Sequence, residues 1–189
     1  MSKTLFFLIF VLSFILVSCG ESSANSKVVG SAGGPCYENQ TCDEGLVCEY
    51  DVCACSESNK FCHEHDGLNW SDTSGYTNWD EANDYCENLG GRLPTISELR
   101  TLIQNCPGTE TGGECGVADD CLSSDCRNDP CNGCEYDNFG KYSVFGDTKR
   151  LWSSSVRSNN TDRAYLVYFD SSYVSYYVRY RRWNARCVK

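Results

Sequence analysis

Histidine is almost absent from this sequence: the chain has two, His63 and His65. Neither has a serine or cysteine nearby in a recognisable nucleophile–base arrangement, so triad-type catalysis finds no residues, and no enzyme activity is expected. Positive charge is also short. Lys and Arg number 16 against 26 Asp and Glu, a formal net charge of −10. That balance argues against nucleic acid or anionic lipid as a main partner, while leaving room for a local basic face. Long apolar runs are scarce too. One stretch, Leu5 to Val17, is too short for a comfortable membrane span and ends in small residues. With Lys3 ahead of it, Met1–Ser18 reads as a secretory signal peptide. No internal repeat stands out.

Cysteine, in contrast, is abundant and odd in number, at 15. Leu16-Val17-Ser18-Cys19, followed by Gly20, resembles the lipobox of bacterial lipoproteins. The resemblance implies cleavage before Cys19 and acylation of its thiol and amine. Two or more chains anchor stably, because each buried methylene contributes about 0.8 kcal/mol. Gly20 rather than Asp after the cysteine fits outer-membrane sorting. The expected location is the cell envelope, surface-exposed and held to the outer membrane by lipid. Setting Cys19 aside leaves 14 cysteines, enough for seven disulfides in an oxidising compartment.

The mature chain, 19–189, is long enough for one core and a small satellite. Residues 19–34 carry the lipidated cysteine and a Ser/Gly/Ala-rich stretch that reads as a flexible tether. Residues 35–62 form a Cys-rich module with cysteines at 36, 42, 48, 53, 55 and 62. So short a segment cannot bury a core, and disulfides must order it, in the manner of EGF-like or knottin-like modules. Six cysteines allow 15 connectivities, and Cys62 can belong to this module or to the next domain. A stapled spacer is the simplest role for it.

The second domain covers 63–189. Asn78 and Glu81 form a capping-box pattern, and Trp79, Ala82, Cys86 and Leu89 then recur at helical spacing up to Gly90. Thr95 and Glu98 repeat the box, with Pro94 placed to staple against Leu99 and a stripe of Ile96, Leu99 and Ile103. Cys106 to Cys134 is a polar insertion with six cysteines, expected as a disulfide-tied loop. Strand signals follow at 151–155, 164–169, 173–180 and 185–188, with a short turn at 170–172. Two helices followed by antiparallel strands is an α+β order.

Three clusters have metal-ligand character. Asp119, Asp120, Asp125 and Asp129 are candidates for calcium, which takes six to eight oxygens, or are solvated loop carboxylates. Cys131-x-x-Cys134 has zinc spacing but stands among disulfide-type cysteines. His63-x-His65 with Asp66 is a chelate pattern or an exposed polar run. No cofactor beyond calcium is expected. Near the C-terminus, alternation places Tyr173, Ser175, Tyr177 and Arg179 on one strand face. It places Val174, Tyr176, Val178 and Tyr180 on the other, the natural core face. Tyr, Arg and Trp enrich binding surfaces, so Tyr173, Tyr177, Arg179, Arg181, Arg182 and Trp183 are the candidate ligand contacts.

Four motifs occur in order: Trp79-x-x-Ala82-x-x-Tyr85-Cys86, Gly91-Arg92-Leu93-Pro94-Thr95-x-x-Glu98-Leu99, Leu151-Trp152-Ser153-Ser154 and Arg186-Cys187-Val188. Together they resemble the Lcl C-terminal domain family and related domains of bacterial surface lipoproteins. The resemblance implies a C-type lectin-like fold over about residues 67–189. It also implies a disulfide from the first helix to the last strand, Cys86 to Cys187. The other cysteines then pair within their modules or across them. The Glu-Pro-Asn motif of sugar-binding lectins is absent, and Ala185 follows Trp183-Asn184 where lectins place Asp. The Arg-Leu-Pro-Thr segment also resembles formylglycine-generating enzymes. Those need reactive cysteines near the C-terminus, where this chain has only Cys187. Non-catalytic binding of a glycan, polyanion or protein is therefore expected, with a ligand-free envelope scaffold as the alternative. Trp79, Arg92, Thr95, Glu98 and Trp152 are expected to be structural. Arg92 is expected to pair with Asp80, Glu98 or a nearby carbonyl.

Overall fold

The computed structural model describes residues 27–189. The expected signal peptide, residues 1–18, and Cys19 lie outside the described residues. The Cys-rich module is ordered by Cys36–Cys48, Cys42–Cys53 and Cys55–Cys62, so Cys62 belongs to it. A hairpin of β1 (Leu46–Glu49) and β2 (Val52–Cys55), not anticipated from the sequence, spans its centre. From Lys27 onward the backbone folds onto the module: the Gly30 amide donates to Pro35 O (2.8 Å) and the Gly33 amide to Cys53 O (2.6 Å). Small residues here permit close backbone packing rather than freedom.

The larger domain opens with a hairpin of β3 (His63–His65) and β4 (Leu68–Trp70). Helix α1 runs Trp79–Asn88 and α2 Ile96–Thr101. Both predicted capping boxes are present. The Asn78 side chain accepts from the Glu81 amide at 3.0 Å, and Thr95 Oγ1 from the Glu98 amide at 3.2 Å. Helix α2 stops before the end of its apolar stripe, and Ile103 instead bridges Ser143. The glycine pair between the helices is needed twice over. Gly90 has φ +82°, and a Cβ on Gly91 would lie 2.5 Å from the Phe61 ring and 2.6 Å from Val188 O.

Strands β5 (Arg150–Arg157), β6 (Asn160–Tyr168) and β7 (Tyr173–Val178) form one antiparallel sheet in that order. Both of its faces are buried. Leu151, Tyr165, Val167 and Val174 pack with Ile96, Leu99 and Leu102. On the other side Trp152, Ala164 and Leu166 pack with Ala82, Cys86, Leu93, Ala185 and Cys187. Two expectations change as a result. The Tyr173–Ser175–Tyr177 face is only partly open: Ser175 is buried, Tyr173 half-buried and Tyr177 exposed, because α1 and the C-terminal segment cover much of that side. Tyr180 does not join the core face. Strand β7 ends at Val178, and Tyr180 is 75 % exposed. The expected strand 185–188 is irregular instead, with only Val188 bridged, to Trp70 and Arg92. Its hydrogen bonds are divided between residues 69–77 and Arg92.

The four sequence motifs fold onto one another. Arg92 and Val188 exchange backbone hydrogen bonds of 3.0 and 2.8 Å. The β5–β6 register shifts between Trp152 and Val156, and there the Ser154 amide donates to Pro94 O (2.7 Å). Trp79 Nε1 donates to Ser153 O (2.7 Å) and Trp152 Nε1 to Thr77 O (3.3 Å). Cys86–Cys187 clamps the assembly, closing a sequence separation of 101. A loop of that size is worth about 4.7 kcal/mol in the chain-entropy account. Of its three possible partners Arg92 engages two: Glu98, through two contacts of 2.6 Å, and a nearby carbonyl, Leu93 O (3.2 Å).

The insertion is an irregular loop with two 3₁₀ turns, Ser124–Cys126 and Asp129–Asn132. It is stapled by Cys106–Cys134, Cys115–Cys131 and Cys121–Cys126. Buried Arg100 of α2 reads its backbone, donating to Thr109 O (3.0 Å), Glu110 O (2.8 Å) and Val117 O. A second buried arginine holds the domain's ends. Arg186 donates from Nε and Nη2 to the two Asp147 oxygens, both at 2.9 Å, and from Nη1 to Ser71 O. Thr73 and Ser143 hydroxyls complete the carboxylate shell at 3.0 and 3.1 Å. Burial opposes the Asp147 charge, but Arg186 and the hydroxyls hold its pKa below the ordinary value. The module is joined to the domain by Asp72, which accepts from the Cys55 amide (2.8 Å) and from His63 Nε2 (2.7 Å).

Removing one partner of a buried ion pair leaves the other charge stranded. Asp147→Asn is therefore expected to cost about 3–5 kcal/mol. The half-exposed Arg92–Glu98 pair is worth less, so Arg92→Ala is expected to cost roughly 1 kcal/mol or under. Urea unfolding of the two variants tests the ranking; equal losses would contradict it. Burial also lowers the His63 pKa below 6.5, outweighing its Asp72 hydrogen bond. As pH falls below 6.5 the unfolded chain binds the proton first, so stability declines until the folded ring protonates. Asp72 and Asp147 are depressed below 3.8; their contributions persist to lower pH and vanish as it falls through their folded values. Unfolding free energy is expected to be lower at pH 5 than at pH 7, with a smaller difference in His63→Gln. An unchanged difference in that variant would exclude His63 as the source.

Candidate functional site

The sheet register sets Arg150 beside Tyr168 and Tyr168 beside Tyr173. The Arg150 guanidinium lies 4.2 Å from the centre of the Tyr168 ring and 4.6 Å from that of Trp183. Tyr168 stands 5.2 Å from Tyr173, and Arg127, reaching from the insertion, lies 4.7 Å over Tyr173. Trp183 continues the row, with Tyr177 at 5.9 Å and exposed Tyr76 at 6.2 Å. Two arginines are thus interleaved with five aromatic rings along one strip. Burial raises the Tyr168 phenol pKa, with Arg150 opposing, so its hydroxyl remains a neutral donor. The Trp183 indole N–H and Arg127 Nε are shielded and find no acceptor among the described residues. Across the sheet, Arg157 and Arg163 flank the Tyr176 ring at 4.5 and 5.6 Å.

Of the six predicted contacts, Tyr173, Tyr177 and Trp183 enter this strip. Arg179 and Arg182 are already engaged. Arg179 pairs with Asp80 and lies 4.0 Å over Trp79, while Arg182 grips Glu81 at 2.7 and 2.8 Å. These pairs fasten the C-terminal segment to the start of α1, where the helix dipole favours carboxylates. Arg181 is exposed and makes no ion pair. The same holds among the described residues for Arg127, Arg150, Arg157 and Arg163. Unpaired guanidinium groups stacked on aromatic rings offer hydrogen-bond forks to an anion and flat faces to a sugar ring.

Sequence reasoning missed Arg150, Tyr168, Arg127 and Tyr76. Arg150 and Tyr168 were findable by aligning strand registers across from Tyr173. Arg127 and Tyr76 sit in irregular segments with no periodicity to place them.

The metal candidates separate. Asp119 bonds the start of α2, accepting from the Ser97 amide and the Ser155 hydroxyl, both at 3.3 Å. Asp125 lies within the first 3₁₀ turn and Asp129 begins the second. Asp119 and Asp120 line one open cleft with Ser158. None of these four is in a set of three or more ligand groups lying within 4.8 Å among the described residues. Cys131 and Cys134 are bonded to Cys115 and Cys106, which removes the zinc reading. His63 turns to Asp72 and His65 to Thr101 O (2.9 Å), so the two rings do not chelate together. The sets that do cluster consist largely of disulfide cysteines, which offer no thiolate.

No curated protein and no solved structure matches this chain. Residues 59–189, more than half of the sequence and the stretch in which the four motifs interlock, match the Lcl C-terminal domain: the chain belongs to the Lcl C-terminal domain family.

Proposed function

We propose that this is a lipid-anchored surface protein whose domain binds an anionic extracellular ligand, an acidic glycan or another polyanion, without catalysis. The observation that carries this reading is the strip of unpaired arginines on aromatic rings: Arg127 on Tyr173, and Arg150 between Tyr168 and Trp183. In a chain with ten more acidic than basic side chains, arginines left without carboxylates are unusual and available. Cation–π stacking holds each guanidinium in place, and Arg127 Nη2 is further held by Asn132 Oδ1 at 2.6 Å, with no carboxylate on either arginine. The C-type lectin-like assignment belongs to the same proposal. It is supported by the α1-to-C-terminus disulfide, the antiparallel sheet and the long stapled insertion between them. The lipid anchor rests on the lipobox alone.

Calcium is not required in this account, because the arginines supply the charge that a cation would provide. The mature protein, applied to an array of neutral and acidic glycans and matrix proteins, is expected to bind acidic members equally with calcium or chelator. Binding should weaken as salt rises. Arg150→Gln and Tyr177→Ala are each expected to reduce affinity about ten-fold, the effect of a lost contact of ~1.4 kcal/mol. Thermal melts confirm that the variants are folded. Full affinity in both variants would place the site elsewhere, and no binding under any condition would favour a scaffold.

A further inference from the structure

The described residues begin at Lys27, eight residues after Cys19. Eight residues reach at most about 28 Å, whatever their conformation. A folded chain of this length is roughly 40 Å across. An anchor at Cys19 therefore gives a leash shorter than the body it holds. The surface around Lys27 must then face the bilayer.

That surface gathers exposed apolar and aromatic side chains. Lys27 lines an open groove of about 370 Å³ with Val52, Phe139 and Phe145. Phe139 is 90 % exposed, and Tyr50, at the β1–β2 turn beside groove residues Asp51 and Val52, is fully exposed. Val28, next to Lys27, is 73 % exposed. The one cation at the rim is already engaged, since Lys27 Nζ donates to Phe145 O. No packing in the fold accounts for Phe139 or Tyr50. Aromatic side chains favour the boundary between lipid headgroups and acyl chains.

We propose that Val28, Tyr50, Val52 and Phe139 form a surface that rests in the headgroup boundary of the membrane holding Cys19. This inference rests on the lipoprotein reading above. Exposed Asp51, between Tyr50 and Val52, lines the groove, so the contact is expected on neutral rather than anionic lipid. It is too small to hold the protein alone. The leash supplies the high local concentration that makes it effective. Its consequence is a fixed orientation of the domain, rather than one free to tumble on a tether.

The test uses the full processed protein in phosphatidylcholine vesicles that contain lipid spin-labelled near the headgroup. Phe139→Trp and, as a control on α1, Tyr85→Trp are compared with the unsubstituted protein for quenching of the added fluorescence. Quenching at position 139 is expected to be several-fold stronger than at 85, and lost in Cys19→Ser. Weak and equal quenching at both positions, in protein whose acylation is verified by mass spectrometry, overturns the resting surface alone. An unmodified Cys19 overturns the lipoprotein reading and this proposal with it. Protection of position 139 from an aqueous quencher without quenching by lipid would mean that a protein covers the groove, and would also overturn it.

Discussion

The buried pair of Arg186 and Asp147 is the constraint on which the rest of the domain depends. The two residues are 5 % and 7 % exposed, so neither charge is solvated by bulk water. Desolvating two ions is costly unless every lone pair and proton finds a partner. Here each carboxylate oxygen accepts one arginine N–H and one hydroxyl. Those partners come from the segment after β4, the loop before β5 and the C-terminal segment. Satisfying the pair therefore fixes three chain segments at once. The nearby Cys86–Cys187 bond then limits how far the unfolded chain can separate what the pair has joined.

The same solution recurs with different chemistry. Arg100 is buried without a carboxylate and is neutralised by three carbonyls of the insertion. An irregular loop has many unpaired carbonyls, and a buried guanidinium has five donors to meet them. Three nested disulfides restrict the loop from within, and Arg100 attaches it to α2 from below. Asp72 does the equivalent for the small module by accepting from both Cys55 and His63. Charged and polar side chains thus hold together the parts of the chain that lack regular ladders.

This division shapes the candidate site. Arg179 and Arg182 looked like ligand contacts because they lie in an aromatic, basic run. The tertiary structure gives them carboxylates at the start of α1, 99 and 101 residues away in sequence. Among the arginines left without such partners, Arg127 lies on an irregular segment, and Arg150 comes to Tyr173 only through the strand register, by way of Tyr168. Charge pairing across the fold decides which cations are structural and which remain available.

The sequence by itself determined what depends on neighbours within a few residues. Capping boxes at Asn78 and Thr95, the helix end at Gly90, the disulfide-tied loop and the module's cysteine staples are local patterns, and each appears where it was expected. The motifs around Arg92, Trp152 and Arg186 also identified the family. Tertiary structure decided what depends on contacts between distant segments. It covered both faces of the β5–β7 sheet, because α1 and the C-terminal segment fill the side that alternation alone leaves open. It left the expected last strand irregular, since that segment serves two partners at once. It assembled the strip from Arg127, Arg150, Tyr168 and Trp183, whose proximity arises from strand register and loop path rather than from any spacing along the chain.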